Sequence, residues 1–238
     1  MILYYVRHGD PIYDPDSLTE LGKKQAEALS KRFLNYGLDE IYASTSIRAQ
    51  MTAQPTCEKL GIEKVLLPWA NESLAWDYFT VKNENGEKRW VFHLESYRQK
   101  LNHPEVRDLG VKWYTHPFFK ETNFAKGAQH IDREVDAFFA SLGFEHNRER
   151  ACYRVTKKNE KRVALFAHEG FGKIFLSSVL DIPYPMVSIK MELGHSGVTV
   201  IHFDENAEIC YPRLLQWSND SHLYKEGILT GYQNWIDI

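Results

Sequence analysis

The stretch Met1-Ile2-Leu3-Tyr4-Tyr5-Val6-Arg7-His8-Gly9 decides how the rest of the chain is read. Its apolar, aromatic and β-branched run predicts a buried strand, and the run stops abruptly at a cation, an imidazole and a glycine. In an open α/β sheet, ligands bind in the crevice beyond the carboxyl ends of the strands, so Arg7 and His8 are delivered to a site rather than to the core. Gly9 lets the backbone turn closely beneath whatever sits there.

The same grammar recurs near residue 165. Arg162-Val163-Ala164-Leu165-Phe166-Ala167 predicts a second apolar strand, which stops at His168-Glu169-Gly170 and runs on into an apolar helix over 174–180. Between the two motifs, Ile41-Tyr42-Ala43 reads as a short strand. Ser44-Thr45-Ser46-Ile47-Arg48-Ala49 then opens a helix. An arginine in the first turn of a helix opposes the helix dipole unless an anion sits beside it, which singles out Arg48 as an anion ligand.

The chain has 238 residues, enough for one substantial α/β domain or one domain with a sizeable insertion. Lys and Arg number 29 against 32 Asp and Glu, for a net charge of -3. No global basic field exists to attract a nucleic-acid backbone, and any anion site must be a local concentration of cations. Cys57, Cys152 and Cys210 are odd in number, widely separated and without C-x-x-C spacing, which fits reduced structural thiols in a cytoplasmic protein. No apolar run is long enough for a membrane span, and no secretory signal pattern is present, so a soluble intracellular protein is expected. The last residues carry no tail of like charge.

Asp10 to Ser17 is turn-rich and predicts no regular structure. Thr19 caps a helix on which Ala26, Leu29, Phe33 and Leu34 recur up to Gly37. A third strand over 62–67 leads into Pro68-Trp69-Ala70-Asn71-Glu72-Ser73-Leu74-Ala75-Trp76-Asp77. A glutamate flanked by Trp69 and Trp76 is a candidate for a pKa raised by desolvation, as a general acid at neutral pH requires. Residues 73–130 carry an unusual load of rings, among them Trp90, Trp113 and Phe124, and predict an insertion folded over the carboxyl edge of the sheet. The rings either shape a substrate pocket or fill a satellite core. His93, His103, His116 and His130 lack metal-ligand spacing, so no zinc site is expected. A helix is predicted from Ile131 to Gly143. Strand-turn-strand pairs are predicted over 152–167 and 198–211. His195 approaches the pocket on no firmer ground than the neighbouring Ser196-Gly197, and His222 is read as structural.

Strand followed by Arg7-His8-Gly9, Leu18-Thr19-Glu20-Leu21-Gly22 with Gln25-Ala26, the Ser44 to Ala53 segment and the strand ending in His168 together resemble the histidine phosphatase superfamily. The resemblance is loose over the whole chain and specific at those four places. It implies a single α/β domain over 1–238, a three-layer α/β/α sandwich with a mostly parallel sheet, carrying residues 73–130 as a cap. It implies a phosphomonoesterase acting on a small phosphorylated metabolite, with no cofactor and no metal. By that resemblance His8 attacks phosphorus and becomes a phosphohistidine, Arg7 and Arg48 bind the phosphoryl oxygens, and His168 completes the pocket. The acidic proton donor falls on Glu72, with Asp77 second. Asp10-Pro11-Ile12-Tyr13 after the motif lacks the Glu and the Trp-Asn pair of a phosphoglycerate mutase, which favours a phosphatase over phosphoryl transfer of the mutase type. A phospholigand-binding protein without turnover would need the same pocket. Oligomeric state is open, since no coiled-coil seam is present.

Overall fold

In the computed structural model, which describes residues 1–231, Leu3 and Tyr5 of the first strand face one core and Tyr4 and Val6 face another. A strand buried on both faces has no polar side to show, which explains a continuous apolar run in place of alternation. The elements follow in order. β1 is Ile2–Arg7, and β2 (Pro11–Tyr13) and β3 (Asp16–Leu18) form a small hairpin before α1 (Glu20–Tyr36), β4 (Glu40–Ser44), α2 (Ile47–Leu60) and β5 (Lys64–Leu67). The insertion runs from α3 (Glu72–Phe79) through the hairpin β6 (Thr80–Lys82) and β7 (Lys88–Trp90) to α4 (Glu95–Leu101) and α5 (Pro104–Asp108). After α6 (Phe124–Ser141) come β8 (Phe144–Asn147), β9 (Cys152–Val155), β10 (Arg162–Ala167), α7 (Glu169–Leu180) and α8 (Tyr184–Lys190). β11 (Val198–His202), β12 (Ile209–Cys210), β13 (Arg213–Asn219) and α9 (Ser221–Lys225) complete the described residues.

The main sheet has the order β13-β11-β1-β10-β4-β5. β1, β10, β4 and β5 are mutually parallel, while β11 and β13 add an antiparallel margin. β1 and β10 lie side by side, with Arg7 registered against Ala167, so both motif histidines emerge at the same carboxyl edge. One face of the sheet packs α1 and α2 through Leu29, Phe33 and Ala53. The other packs α6 and α7 through Ile131, Phe139, Phe171 and Phe175. This is a mixed α/β fold with a mostly parallel central sheet between helical layers.

Several local expectations are corrected. Residues 10–17 do form structure, because the turn at Asp14-Pro15 lets three residues on each side pair. β9 does not pair with β10; it joins β8 and β12 in a separate sheet, and β12 therefore does not pair with β11 either. β9 turns back on the preceding β8 across a shorter connection, while β12 pairs with the distant β9, and β10 and β11 both pair with β1. α7 starts at Glu169 rather than near 174, and a short helix α8 follows it. Leu34 is exposed, off the apolar stripe of α1. The rings of 73–130 do not form a satellite core: Phe79, Phe92, Trp113 and Phe124 belong to one cluster with Leu3, Tyr5 and Val163 of the sheet. The three cysteines are free and buried, and no described helix is long and apolar enough to cross a membrane. The sequence reading of a tail without like charge falls on residues 232–238, outside the described part.

Candidate active site

Arg7 and His8 are fully buried at the end of β1, and His168 is buried at the end of β10. Their elements are neighbours in the sheet, so the two imidazoles meet with ring centroids 5.2 Å apart. His8 borders a cleft of about 930 Å³ together with Arg7, Arg48 and Glu72, and His168 lies behind that lining, its Nδ1 3.1 Å from Arg48 Nη2. The structure thus brings together all five residues singled out from the sequence. Asp77 is not among them: its side chain is 69% exposed and 3.4 Å from Lys88, whereas that of Glu72 is 19% exposed and 3.3 Å from His168.

Hydrogen bonds set the state of each ring. His8 Nδ1 is 2.7 Å from the Gly9 carbonyl oxygen. A carbonyl only accepts, so Nδ1 carries the proton and Nε2 keeps its lone pair. Burial, the neighbouring His168 and the Arg7 guanidinium all push the His8 pKa well below its ordinary value, which keeps the ring neutral. The Gly9 amide donates to Thr52 Oγ1 at 2.9 Å, and a Cβ on Gly9 would meet the Gly22 carbonyl at 2.7 Å, so this turn requires glycine. At His168, Arg48 Nη2 donates to Nδ1 at 3.1 Å, which leaves Nε2–H to donate to Ser44 Oγ at 2.8 Å. Burial and the two arginines hold this imidazole neutral as well.

Arg48 does have the anion its position demands, and that anion is Asp16. One carboxylate oxygen accepts from Arg48 Nη1 at 2.8 Å and the other from the Ile47 amide at 2.7 Å, at the amino terminus of α2. Tyr13 lies over the guanidinium, 5.4 Å from ring centre to carbon. Arg7 pairs with Glu169 at 2.9 Å, meets His195 Nε2 at 2.9 Å and donates to the Leu193 carbonyl. The Nε–H groups of Arg7 and Arg48 are buried and have no hydrogen-bond partner. Two orphaned cationic donors at one cleft suit a multidentate oxyanion.

Glu72 begins α3, with Asn71 as its cap, and its Oε1 accepts the Phe171 amide at 2.9 Å. Burial pushes its pKa up to about 7, opposed in part by that amide and by Arg48 and Arg7. Sequence reading missed Glu169. Burial alone would raise its pKa, but Arg7, a hydrogen bond with Glu192 and Lys173 hold it well below the usual carboxylate range. Had α7 been started at residue 169, the i,i+4 spacing of Glu169 and Lys173 would have marked the pair. His195 is brought to the site, with its ring 5.6 Å from that of His8 and its Nδ1 3.4 Å from Asp10. His222 is buried against Ser196 Oγ at 3.0 Å, away from the cleft lining.

His8, Glu72 and His168 also place potential metal-ligand atoms within 4.8 Å of one another. The Arg48 guanidinium in contact with His168, and that of Arg7 lining the same cleft, work against a cation and for an anion.

A sequence model of the histidine phosphatase superfamily (branch 1) matches residues 3–105. A 66-residue segment is 41% identical to the mitochondrial serine/threonine-protein phosphatase Pgam5 of Drosophila melanogaster, covering 25% of this chain and 23% of that protein. The chain thus spans about a quarter of the length of this relative. Over 219 residues it is 22% identical to a Hydrogenobacter thermophilus protein provisionally assigned as phosphoserine phosphatase 2, covering 88% and 93% of the two chains. Among solved structures, a phosphoserine phosphatase variant of Entamoeba histolytica, crystallised with phosphoserine, superposes with a TM-score of 0.59 at 18% identity, covering 93% of this chain and 98% of that one. The chain is thus similar to the histidine phosphatase superfamily over its amino-terminal segment and shares its fold with that phosphoserine phosphatase, with an Arg-His-Gly turn beside a second strand-end histidine.

Proposed function

We propose that the protein is a phosphomonoesterase that hydrolyses a small phosphorylated metabolite through a phosphohistidine on His8. The observation that carries this reading is the convergence of two neutral imidazoles, 5.2 Å apart, with Arg7, Arg48 and Glu72 at one cleft. Phosphate monoesters repel anionic attackers, so a catalyst needs concentrated cations and an internal nucleophile. The guanidinium groups of Arg7 and Arg48 bind the phosphoryl oxygens, and the neutral His8 attacks phosphorus in line through Nε2. Glu72, protonated near neutral pH, donates its proton to the departing alkoxide and then, as a carboxylate, takes one from the water that cleaves the phosphohistidine. His168 supports the transferring oxygens. When Arg48 turns from His168 Nδ1 to the phosphoryl oxygens, Ser44, a hydroxyl able to reverse its hydrogen bond to Nε2, lets the neutral ring carry its proton on Nδ1 instead.

No step in this scheme calls for a metal ion. Residues 1–238 act as one domain in this reading, with 73–130 as the cap that shapes specificity, in a soluble cytoplasmic protein. The relatives named above are assigned both to protein phosphoserine or phosphothreonine and to free phosphoserine, and the cleft walls formed by Trp76, Trp90 and Phe92 suit a small ligand.

The test is p-nitrophenyl phosphate hydrolysis with chelator present, together with rapid-quench capture of acid-labile phosphate on the protein. Turnover with labelling that disappears in His8→Ala is expected, with activity lowered more than about a thousandfold. Equal activity in the wild type and His8→Ala would defeat the assignment.

A further inference from the structure

A second cleft, of about 1040 Å³, adjoins the first and shares Arg89, Phe92 and His93 with it. The two therefore form one depression running from His8 across the insertion towards α8. Arg89, Arg98, Lys173 and Lys190 face this second cleft, against the single carboxylate of Glu192. In a chain whose net charge is -3, that is a local concentration of cations rather than a reflection of global charge.

We propose that the end of the substrate remote from the phosphoryl group lies in this second cleft and carries an anionic group there. The inference rests on the phosphatase reading and narrows it to substrates charged at both ends. Lys173 braces the floor of the subsite without offering it free charge. Its ammonium is buried, sits 4.1 Å from the Phe92 ring centre, and is held by Glu169 at 3.0 Å and Glu192 at 3.3 Å. Glu169 gives its other oxygen to Arg7, so one carboxylate ties the floor of the second cleft to the phosphate-binding guanidinium of the first. Arg89 and Arg98 supply the adaptable part. Each pairs with an exposed carboxylate, Glu87 at 2.8 Å and Glu95 at 3.6 Å, neither of which lines the cleft. Exposed pairs of this kind contribute little and give way readily to a better-placed anion. Phe92 and Ile189 leave the span between the charged ends apolar, which suits a short carbon skeleton.

Calorimetric titration with non-hydrolysable probes separates this inference from catalysis. Phenylphosphonate is compared with 4-carboxyphenylphosphonate, and hexylphosphonate with 6-phosphonohexanoate to cover a longer reach. The wild type is expected to bind the carboxylated member of at least one pair about five- to tenfold more tightly, as one added charge-assisted contact gives. In the double variant Arg98→Ala/Lys190→Ala, with both side chains exposed and folding checked by circular dichroism, the ratio should fall towards one. It should also shrink as salt is raised. If the plain phosphonates bind and the carboxyl group adds nothing in either pair, or if the preference survives the double variant, the second cleft is not an anion subsite although the phosphate site stands. If no phosphonate binds at all, the phosphate site fails and this inference fails with it.

Discussion

Glu72 is held between two segments: Oε1 accepts the Phe171 amide at 2.9 Å, and Oε2 lies 3.3 Å from the unprotonated Nδ1 of His168. A carboxyl group fixed this way beside the two imidazoles, with its pKa pushed up to about 7, is acid in one half of the neutral range and base in the other. For an alkyl phosphate the first chemical step needs the protonated form, so kcat/KM should fall as pH rises through about 7. Glu72→Gln should lower kcat/KM by about 10²–10⁴ for an alkyl phosphate and much less for p-nitrophenyl phosphate, whose leaving group needs little protonation. The alkaline limb should also vanish in the variant. An identical loss for both substrates would remove Glu72 from the proton-donor role.

Asp16 pairs with Arg48 and with the Ile47 amide at the start of α2, the position that the proposed mechanism gives to a substrate oxyanion. It is the competing anion of the site, and its hairpin also brings Tyr13 over the same guanidinium. Asp16→Asn keeps the shape and removes the charge. Inorganic phosphate should then inhibit about three- to tenfold more strongly, since losing one opposing charge at a partly exposed site is worth about 1 kcal/mol. Weaker phosphate inhibition in the variant would mean that Asp16 orients Arg48 rather than competing for it.

The centre of the fold and the centre of the site were legible because they are the same feature. A strand buried on both faces has no periodicity except its abrupt end, and Arg7, His8 and His168 stand at two such ends. Arg48 was legible through a local electrostatic conflict, although the anion that resolves it in the protein is Asp16, in a hairpin too short to show a strand pattern. What stayed hidden depends on contacts between distant segments. Glu169 and Lys173 look like an ordinary helical pair until Arg7 and Phe92 arrive from other parts of the chain. The pairing of β12 with β9 likewise joins segments more than 50 residues apart, beyond the reach of any turn signal.

Gly170 is the close contact through which the insertion meets the site. A Cβ there would lie 2.4 Å from Trp90 Cη2 and 2.7 Å from Glu72 Oε1. The Trp90 ring, braced edge-on by Trp76 at 5.1 Å, thus lies beside the Glu72 carboxyl group across Gly170 and adds apolar surface next to it. Trp90→Ala should rehydrate Glu72 and move the alkaline limb of kcat/KM to lower pH, with p-nitrophenyl phosphate turnover less affected than that of an alkyl phosphate. A purely structural role for Trp90 would lower activity evenly and leave the limb in place.

His146 lies wholly buried on the far side of α6, with Nδ1 3.1 Å from Asp136, Nε2 2.9 Å from Asp181, and its ring stacked on Tyr153 at 4.1 Å. Burial opposes its charge, and so does Arg148, but hydrogen bonds to the two carboxylates prevail and raise its pKa above the ordinary value. A histidine whose pKa is higher folded than unfolded adds stability that is fully present below the unfolded pKa, about 6.5, and is lost as pH rises through the folded one. His146→Gln should therefore cost about 1–3 kcal/mol in urea unfolding near pH 6, the range for hydrogen bonds to charged groups, reduced because Asp136 is partly exposed. The difference between wild type and variant should narrow steadily towards pH 9. A difference that stays constant over this range would show that His146 contributes through packing on Tyr153 alone.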